Sequence, residues 1–160
     1  MAKQNPGKLF EQDFIDSFPM FDIFTFRLRD SASAWGEGAS KLRFTSSNPC
    51  DFLVFSHYNN TLLMLELKSF KGKSIPFTNI KSHQIQALTE KSKLEGVRGL
   101  FILNFRDLAE TYALDAKLVD ELYREGKKSI PLAYMKKHGE LIEQKLKKVR
   151  YTYNIDKLIK

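Results

Sequence analysis

The feature that most constrains this sequence is a pair of apolar segments joined by an Asn-rich turn. Residues 50–55 and 61–69 are rich in β-forming side chains, and the five residues between them (SHYNN) carry a turn signal. The pattern predicts an antiparallel β-hairpin. A turn centred between the Tyr and the first Asn of that segment places Asp51 directly opposite Glu66.

Two opposed carboxylates on apolar strands need a compensating charge. Directly opposed residues have Cβ atoms about 4.5–5.5 Å apart, and at that distance the carboxylates repel each other and lose solvation. A divalent cation such as Mg²⁺ reverses that balance.

Lys68 shares the face of Glu66 because side chains alternate along a strand. It is suited to orienting a water molecule or neutralising charge on a phosphate. In the alternative interpretation, Asp51 and Glu66 flank strand ends and Lys68 simply pairs with one of them.

The periodicity of the remaining segments predicts a mixed α/β domain. Asn5 and Pro6 are typical of a helix start, and Phe10, Phe14 and Phe18 recur at helical spacing after them. Further segments are a strand at 21–28, a helix at 85–94, a strand at 100–105, a helix at 114–123 and a late strand at 149–153.

Length and charge indicate one domain with two unusual regions. The 160 residues suit a single domain, and residues 30–47 form a long segment of small residues without a clear period. The whole net charge of +7 lies in residues 124–160, which favours either a polyanionic partner such as nucleic acid or a solvated Lys-rich element. No segment is apolar enough for a membrane span or an export signal, so we expect a cytoplasmic protein without membrane contact.

Several motifs, taken in order, resemble a known nuclease group. Residues 49–51 (PCD) followed by 66–68 (ELK) are similar to the PD-(D/E)xK nuclease superfamily. Longer stretches resemble RecU-type Holliday junction resolvases: residues 7–11 (GKLFE), 73–85 (KSIPFTNIKSHQI), 96–103 (GVRGLFIL) and 128–130 (KSI).

The resemblance implies a fold and a set of site residues. The fold would be α/β, a restriction-endonuclease-like mixed β-sheet flanked by helices, with a short stalk-like insertion at residues 30–47 between the first two strands. Asp51 and Glu66 would bind the metal and Lys68 would be the catalytic lysine. Glu11 would lie near the metal and Gln84 near the scissile phosphate.

The resemblance also implies cofactors and partners. The metal would be Mg²⁺, with Mn²⁺ as a possible substitute, the substrate a four-way DNA junction, and the assembly a homodimer in a bacterial or phage-infected cell. A phage or mobile-element origin is expected from the short insertion. The basic residues near the site and the insertion are predicted DNA contacts, together with one tryptophan: Lys71, Lys73, Lys81, Arg29, Lys41, Arg43 and Trp35.

Two alternatives remain open at this stage. The same site could belong to a restriction or repair nuclease that acts on linear, nicked or flapped DNA. The chain could instead be a non-catalytic architectural protein that binds junctions.

Overall fold

A computed structural model describes residues 5–19, 21–28 and 47–160. The helices are α1 (Pro6–Ile15), α2 (Ser82–Lys91), α3 (Ala116–Arg124), α4 (Leu132–His138) and α5 (Asp156–Ile159), with a 3-10 helix at Phe77–Asn79. The strands are β1 (Ile23–Arg27), β2 (Phe52–Ser56), β3 (Thr61–Phe70), β4 (Ser74–Pro76), β5 (Val97–Phe105), β6 (Glu110–Asp115), β7 (Ser129–Pro131), β8 (Glu140–Ile142), β9 (Gln144–Lys147) and β10 (Arg150–Tyr153). The predicted insertion lies outside the described residues except for Ser47, and so do Arg29, Trp35, Lys41 and Arg43.

Helix α1 begins as the sequence predicts. The Asn5 side chain accepts a hydrogen bond from Gly7 N at 2.9 Å, and Pro6 occupies the first turn, where its missing N–H costs nothing. Phe10 and Phe14 are buried one helical turn apart. Their side chains attach α1 to the sheet and so set the position of the helix.

The main sheet has six strands in the order β1-β2-β3-β5-β6-β8. Strands β3 and β5 run parallel, and the other neighbours run antiparallel. The register of β2 and β3 pairs Phe52 with Leu65 and Ser56 with Thr61, which is the predicted register of the hairpin. Asp51 and Glu66 therefore lie at the next position, just beyond the last paired residues of β2.

Helices cover both faces of the sheet. One buried cluster joins β3, β5 and β6 to α2, α3 and α4, and a second joins the opposite face to α1, β10 and α5. The residue patterns predict a mixed α/β domain, and this sheet with helices on both faces is the arrangement that the family resemblance implies. Among the described residues, no helix combines the length and apolar character needed to cross a membrane.

The predicted helix at residues 114–123 is wrong at its start. Leu114 and Asp115 belong to β6, a strand that the sequence did not predict, and α3 begins at Ala116. Asp115 caps α3 by accepting a hydrogen bond from Lys117 N at 2.9 Å. Pairing of β6 with β5, which includes Leu114 and Asp115, overrides the local helical preference of these two residues.

Candidate active site

The Asp51 carboxylate is turned towards β3 by backbone hydrogen bonds. Its Oδ2 accepts a hydrogen bond from Leu67 N at 2.8 Å, and its own backbone N donates to Leu65 O at 3.0 Å. These two bonds fix the carboxylate beside the segment of β3 that carries Glu66 and Lys68. The predicted juxtaposition of the two acidic residues is therefore present.

Glu66 is a fully buried carboxylate in the middle of β3. Its side chain has 0% relative exposure, and its neighbour on β5 is the core residue Phe101. Burial, followed by the charge of Asp51, raises the pKa of Glu66 to about 7, against the opposing effects of Lys68 and Gln84. Burial and the charge of Asp51 both disfavour the ionised form of Glu66, and a cation bound beside the two carboxylates would offset that cost.

Lys68 is the counter-ion of Glu66. Its Nζ lies 2.6 Å from Glu66 Oε1, and its side chain is 26% exposed. Burial alone lowers the pKa of Lys68, but the charges of Glu66, Asp51 and Glu11 outweigh that effect and raise it above its ordinary value. The ion pair required by the alternative interpretation is present, but it lies within a cluster of carboxylates and not at a strand end.

Gln84 enters the cluster from α2. The side chain is 6% exposed, and within the described residues its Oε1 has no hydrogen-bond partner. It contributes to lowering the pKa of Glu66. The sequence prediction placed Gln84 beside the site, and the structure brings it there.

Glu11 approaches the cluster from α1 and is held by Arg27 of β1. Arg27 Nη2 lies 2.5 Å from Glu11 Oε2. Burial and the charge of Asp51 raise the pKa of Glu11, while Arg27 and Lys68 oppose them. Sequence analysis missed this role of Arg27, because the two partners are 16 residues apart and lie on different elements.

The oxygen atoms of this cluster fit a hard divalent cation. Glu66 Oε2 and Gln84 Oε1 are buried and have no hydrogen-bond partner in the described part of the chain, a state that costs about 1–3 kcal/mol for each group. Mg²⁺ prefers oxygen ligands and binds proteins through one or two carboxylates, completing its shell with water and substrate oxygens. The carboxylate and amide oxygens of this cluster are of that kind. Among the described residues, no group of three or more His, Cys, Asp or Glu side chains is placed to bind a metal.

Three predicted DNA-contacting lysines lie close in sequence to the residues of the cluster. Lys71 and Lys73 follow the end of β3, Lys81 directly precedes α2, and all three are exposed. The other predicted contacts fall in the part of the chain that the structure does not describe, so their positions stay predictions.

Comparison with known proteins identifies the family. The family model described as "Recombination protein U" (RecU) matches residues 36–157. The chain belongs to the RecU family. This result confirms the resemblance noted from the sequence motifs.

The individual relatives of this chain differ in how much of their length is shared with it. A Bacillus subtilis protein described as "SPbeta prophage-derived uncharacterized protein YotM" is 30% identical over 99% of this chain and 87% of its own length. The Holliday junction resolvase RecU of Mycoplasmopsis pulmonis is 27% identical over 89% of this chain and 88% of its own. The RecU of Streptococcus gordonii is 37% identical, but the match covers 56% of this chain and 46% of that protein.

A solved structure shows a weaker likeness. The Holliday junction resolvase Hjc of Archaeoglobus fulgidus is 17% identical, with a TM-score of 0.49 over 75% of this chain and 83% of that one.

Proposed function

We propose that this RecU-family chain is a divalent-metal-dependent endonuclease that resolves four-way DNA junctions by hydrolysing phosphodiester bonds. The observation that carries the proposal is the cluster of Asp51, buried Glu66 and Lys68 on the β2–β3 hairpin, inside the sheet. Relatives named Holliday junction resolvase support the substrate class. The prophage-derived relative supports a phage or mobile-element origin.

Each residue of the cluster has a separate role in the proposed reaction. Asp51 and Glu66 would hold the cation, with Mg²⁺ as the preferred ion and Mn²⁺ as a substitute. When bound, the ion lowers the pKa of a water molecule and polarises a phosphoryl oxygen. Lys68, protonated and anchored by Glu66, donates to the phosphate as negative charge develops on it.

Two further residues position the reacting groups. Gln84 interacts with Glu66 from α2 and has a buried amide oxygen without a hydrogen-bond partner among the described residues, so it would orient the scissile phosphate or the attacking water from the α2 side. Glu11, oriented by Arg27, would hold a water molecule on the α1 side. The exposed lysines Lys71, Lys73 and Lys81 would follow the DNA backbone. So would the predicted contacts at Arg29, Trp35, Lys41 and Arg43 around the insertion.

We further propose a homodimer, because a junction offers two symmetric strands to cut. An aromatic surface on β1 and β2 supports this: Phe24 and Phe26 are 59% and 50% exposed, and their rings stack 6.4 Å apart. Phe55, opposite Phe24 in the register, extends the same surface.

Phe26→Lys should convert the dimer to a monomer in sedimentation analysis, whereas Leu94→Lys, at a residue that is also exposed, should leave it dimeric. A Phe26→Lys protein that stays dimeric would exclude this surface.

The deciding experiment compares substrates and metals. Purified protein is incubated with an end-labelled four-way junction and with a matched linear duplex, with Mg²⁺, with Mn²⁺ and with chelator, beside Asp51→Asn. We expect paired metal-dependent nicks in the junction, none in the duplex and none with the variant. Cutting of linear, nicked or flapped DNA instead would favour a restriction or repair nuclease. Tight junction binding without cleavage under any cation would favour an architectural protein.

A further inference from the structure

The β9–β10 hairpin is the most basic described element of the chain. Between residues 144 and 153 it carries four Lys or Arg residues and no Asp or Glu. Lys145, Lys147 and Lys148 are all exposed, and at the turn Val149 is 82% exposed. The hairpin thus presents a positively charged edge to solvent.

Hydrogen bonds and an ion pair attach the hairpin to α1 and the residues that follow it. Asp13 is 4% exposed; its Oδ1 forms an ion pair with Arg150, and its Oδ2 accepts a hydrogen bond from Tyr151 N at 3.0 Å. Tyr153 N donates to Ser17 Oγ at 2.9 Å. Because Asp13 neutralises Arg150, the charge that remains is that of the three lysines.

A buried polar chain connects the hairpin to the strand of the candidate active site. Gln144 Oε1 accepts from Thr111 Oγ1 at 2.6 Å, which in turn accepts from Asn104 Nδ2 at 2.8 Å. Ser69 Oγ donates to Asn104 Oδ1 at 2.9 Å, and Ser69 directly follows Lys68. The base of the hairpin therefore lies at the same end of β3 as Lys68.

A cavity of about 160 Å³ lies at the base of the hairpin, and its lining includes one further positively charged residue, Arg106. The lining also includes Leu9 and Tyr151, and Arg106 Nη1 donates to Ser69 O at 3.4 Å. Across the described residues, no ion pair involves Arg106, so its charge is not neutralised by a carboxylate.

From these observations we infer that the β9–β10 hairpin is a DNA arm, which binds backbone phosphates of a duplex segment outside the cleavage site. Lys145 and Lys147 lie two residues apart on one side of β9, about 6.8 Å along the strand. Their side chains therefore project from the same face of β9, where both can contact phosphates of one DNA strand. The inference rests on the proposed function and adds a surface to it on the α1 side of the sheet.

The test measures junction affinity as a function of salt, without metal so that no cleavage occurs. In the triple variant Lys145→Ala, Lys147→Ala and Lys148→Ala, three lost phosphate contacts should reduce the slope of log K against log[salt] by about 2.7. A fourfold rise in salt would then weaken wild-type binding about 40-fold more than variant binding. The triple Lys→Arg variant at the same positions should keep the wild-type slope, because the charges remain.

A matched variant controls for net charge. Lys91→Ala, Lys93→Ala and Lys117→Ala remove three exposed lysines at the end of α2 and the start of α3, and this variant should bind with the wild-type slope. Equal slopes for the wild type and the hairpin Ala variant would overturn the inference. It would also be overturned if the control variant showed the same reduction in slope as the hairpin Ala variant. Wild-type protein that neither binds nor cuts the junction would instead overturn the proposed function. Thermal unfolding of each variant verifies that it is folded.

Discussion

Replacing Glu66 by Gln should remove a large pH dependence from the stability of the metal-free protein. Glu66 has 0% exposure, and burial, with the nearby charge of Asp51, raises its pKa from 4.5 to about 7. The unfolded chain has the ordinary value. The folded state therefore binds more protons than the unfolded state between these two values, and the free energy of unfolding falls as pH rises through this window.

The size of the effect follows from the two pKa values. Each pH unit is worth about 1.4 kcal/mol, so the difference between 4.5 and about 7 corresponds to about 3 kcal/mol. This contribution is fully present below about pH 4.5 and is lost above about pH 7. Glu66→Gln also breaks the ion pair with Lys68. That loss changes the absolute stability but not its dependence on pH in this window, because Lys68 stays protonated throughout.

Denaturant unfolding of both proteins with chelator, at intervals from about pH 5 to about pH 8, measures this difference. The free energy of unfolding of the wild-type protein should fall by about 2.5 kcal/mol more than that of Glu66→Gln over this range. Millimolar Mg²⁺ should then stabilise the wild type more at about pH 8 than at about pH 6, because proton and metal compete for one carboxylate. Parallel pH profiles for the two proteins would refute the reasoning, and so would Mg²⁺ stabilisation of Glu66→Gln equal to that of the wild type.

Three further predictions concern other parts of the fold. Gly99→Ala should destabilise the protein by about 1–3 kcal/mol in denaturant unfolding, because an added Cβ would lie 2.7 Å from Leu88 O; a stability equal to wild type would contradict this. Cys50 is 1% exposed, and burial raises the pKa of its thiol to about 12. Alkylation of Cys50, followed by mass spectrometry, should therefore be slow in the native protein and fast in denaturant. Equal alkylation rates in the two conditions would exclude the buried position. Asp13→Asn should cost about 1–3 kcal/mol by weakening the contact with Arg150, whereas Asp156→Asn, at an exposed acid, should change stability by less than about 0.5 kcal/mol.

The sequence predicted the part of the site that is formed by residues close together in the chain. The β2–β3 hairpin has its predicted register because the turn and both arms lie within one short segment, and Asn60, with φ of 53°, adopts the left-handed conformation that such a turn accepts. Asp51 and Glu66 follow from that register alone. Their roles in binding metal stay predictions until the cleavage experiment is done.

The parts that the sequence missed depend on contacts between distant residues. Strand β6 has no strong strand pattern of its own and exists because β5 and β8 pair with it. Gln144 meets Thr111 and Asn104 across 33 and 40 residues, a separation at which no periodicity indicates a contact. The charge excess of residues 124–160 was visible, but only the described hairpin shows which lysines share one edge.

The order in which the strands pair has a consequence for the kinetics of folding. Hairpins such as β2–β3 form in about 1–10 μs, whereas the parallel pairing of β3 with β5 must wait for the chain between them to cross over, including α2. We therefore expect Asp51 and Glu66 to meet before the pairing of β3 with β5 removes Glu66 from water. If the burial of Glu66 follows the transition state, a rise in pH will accelerate unfolding more than it slows folding. The same carboxylate that is proposed to hold the metal would then also limit how long the metal-free chain stays folded.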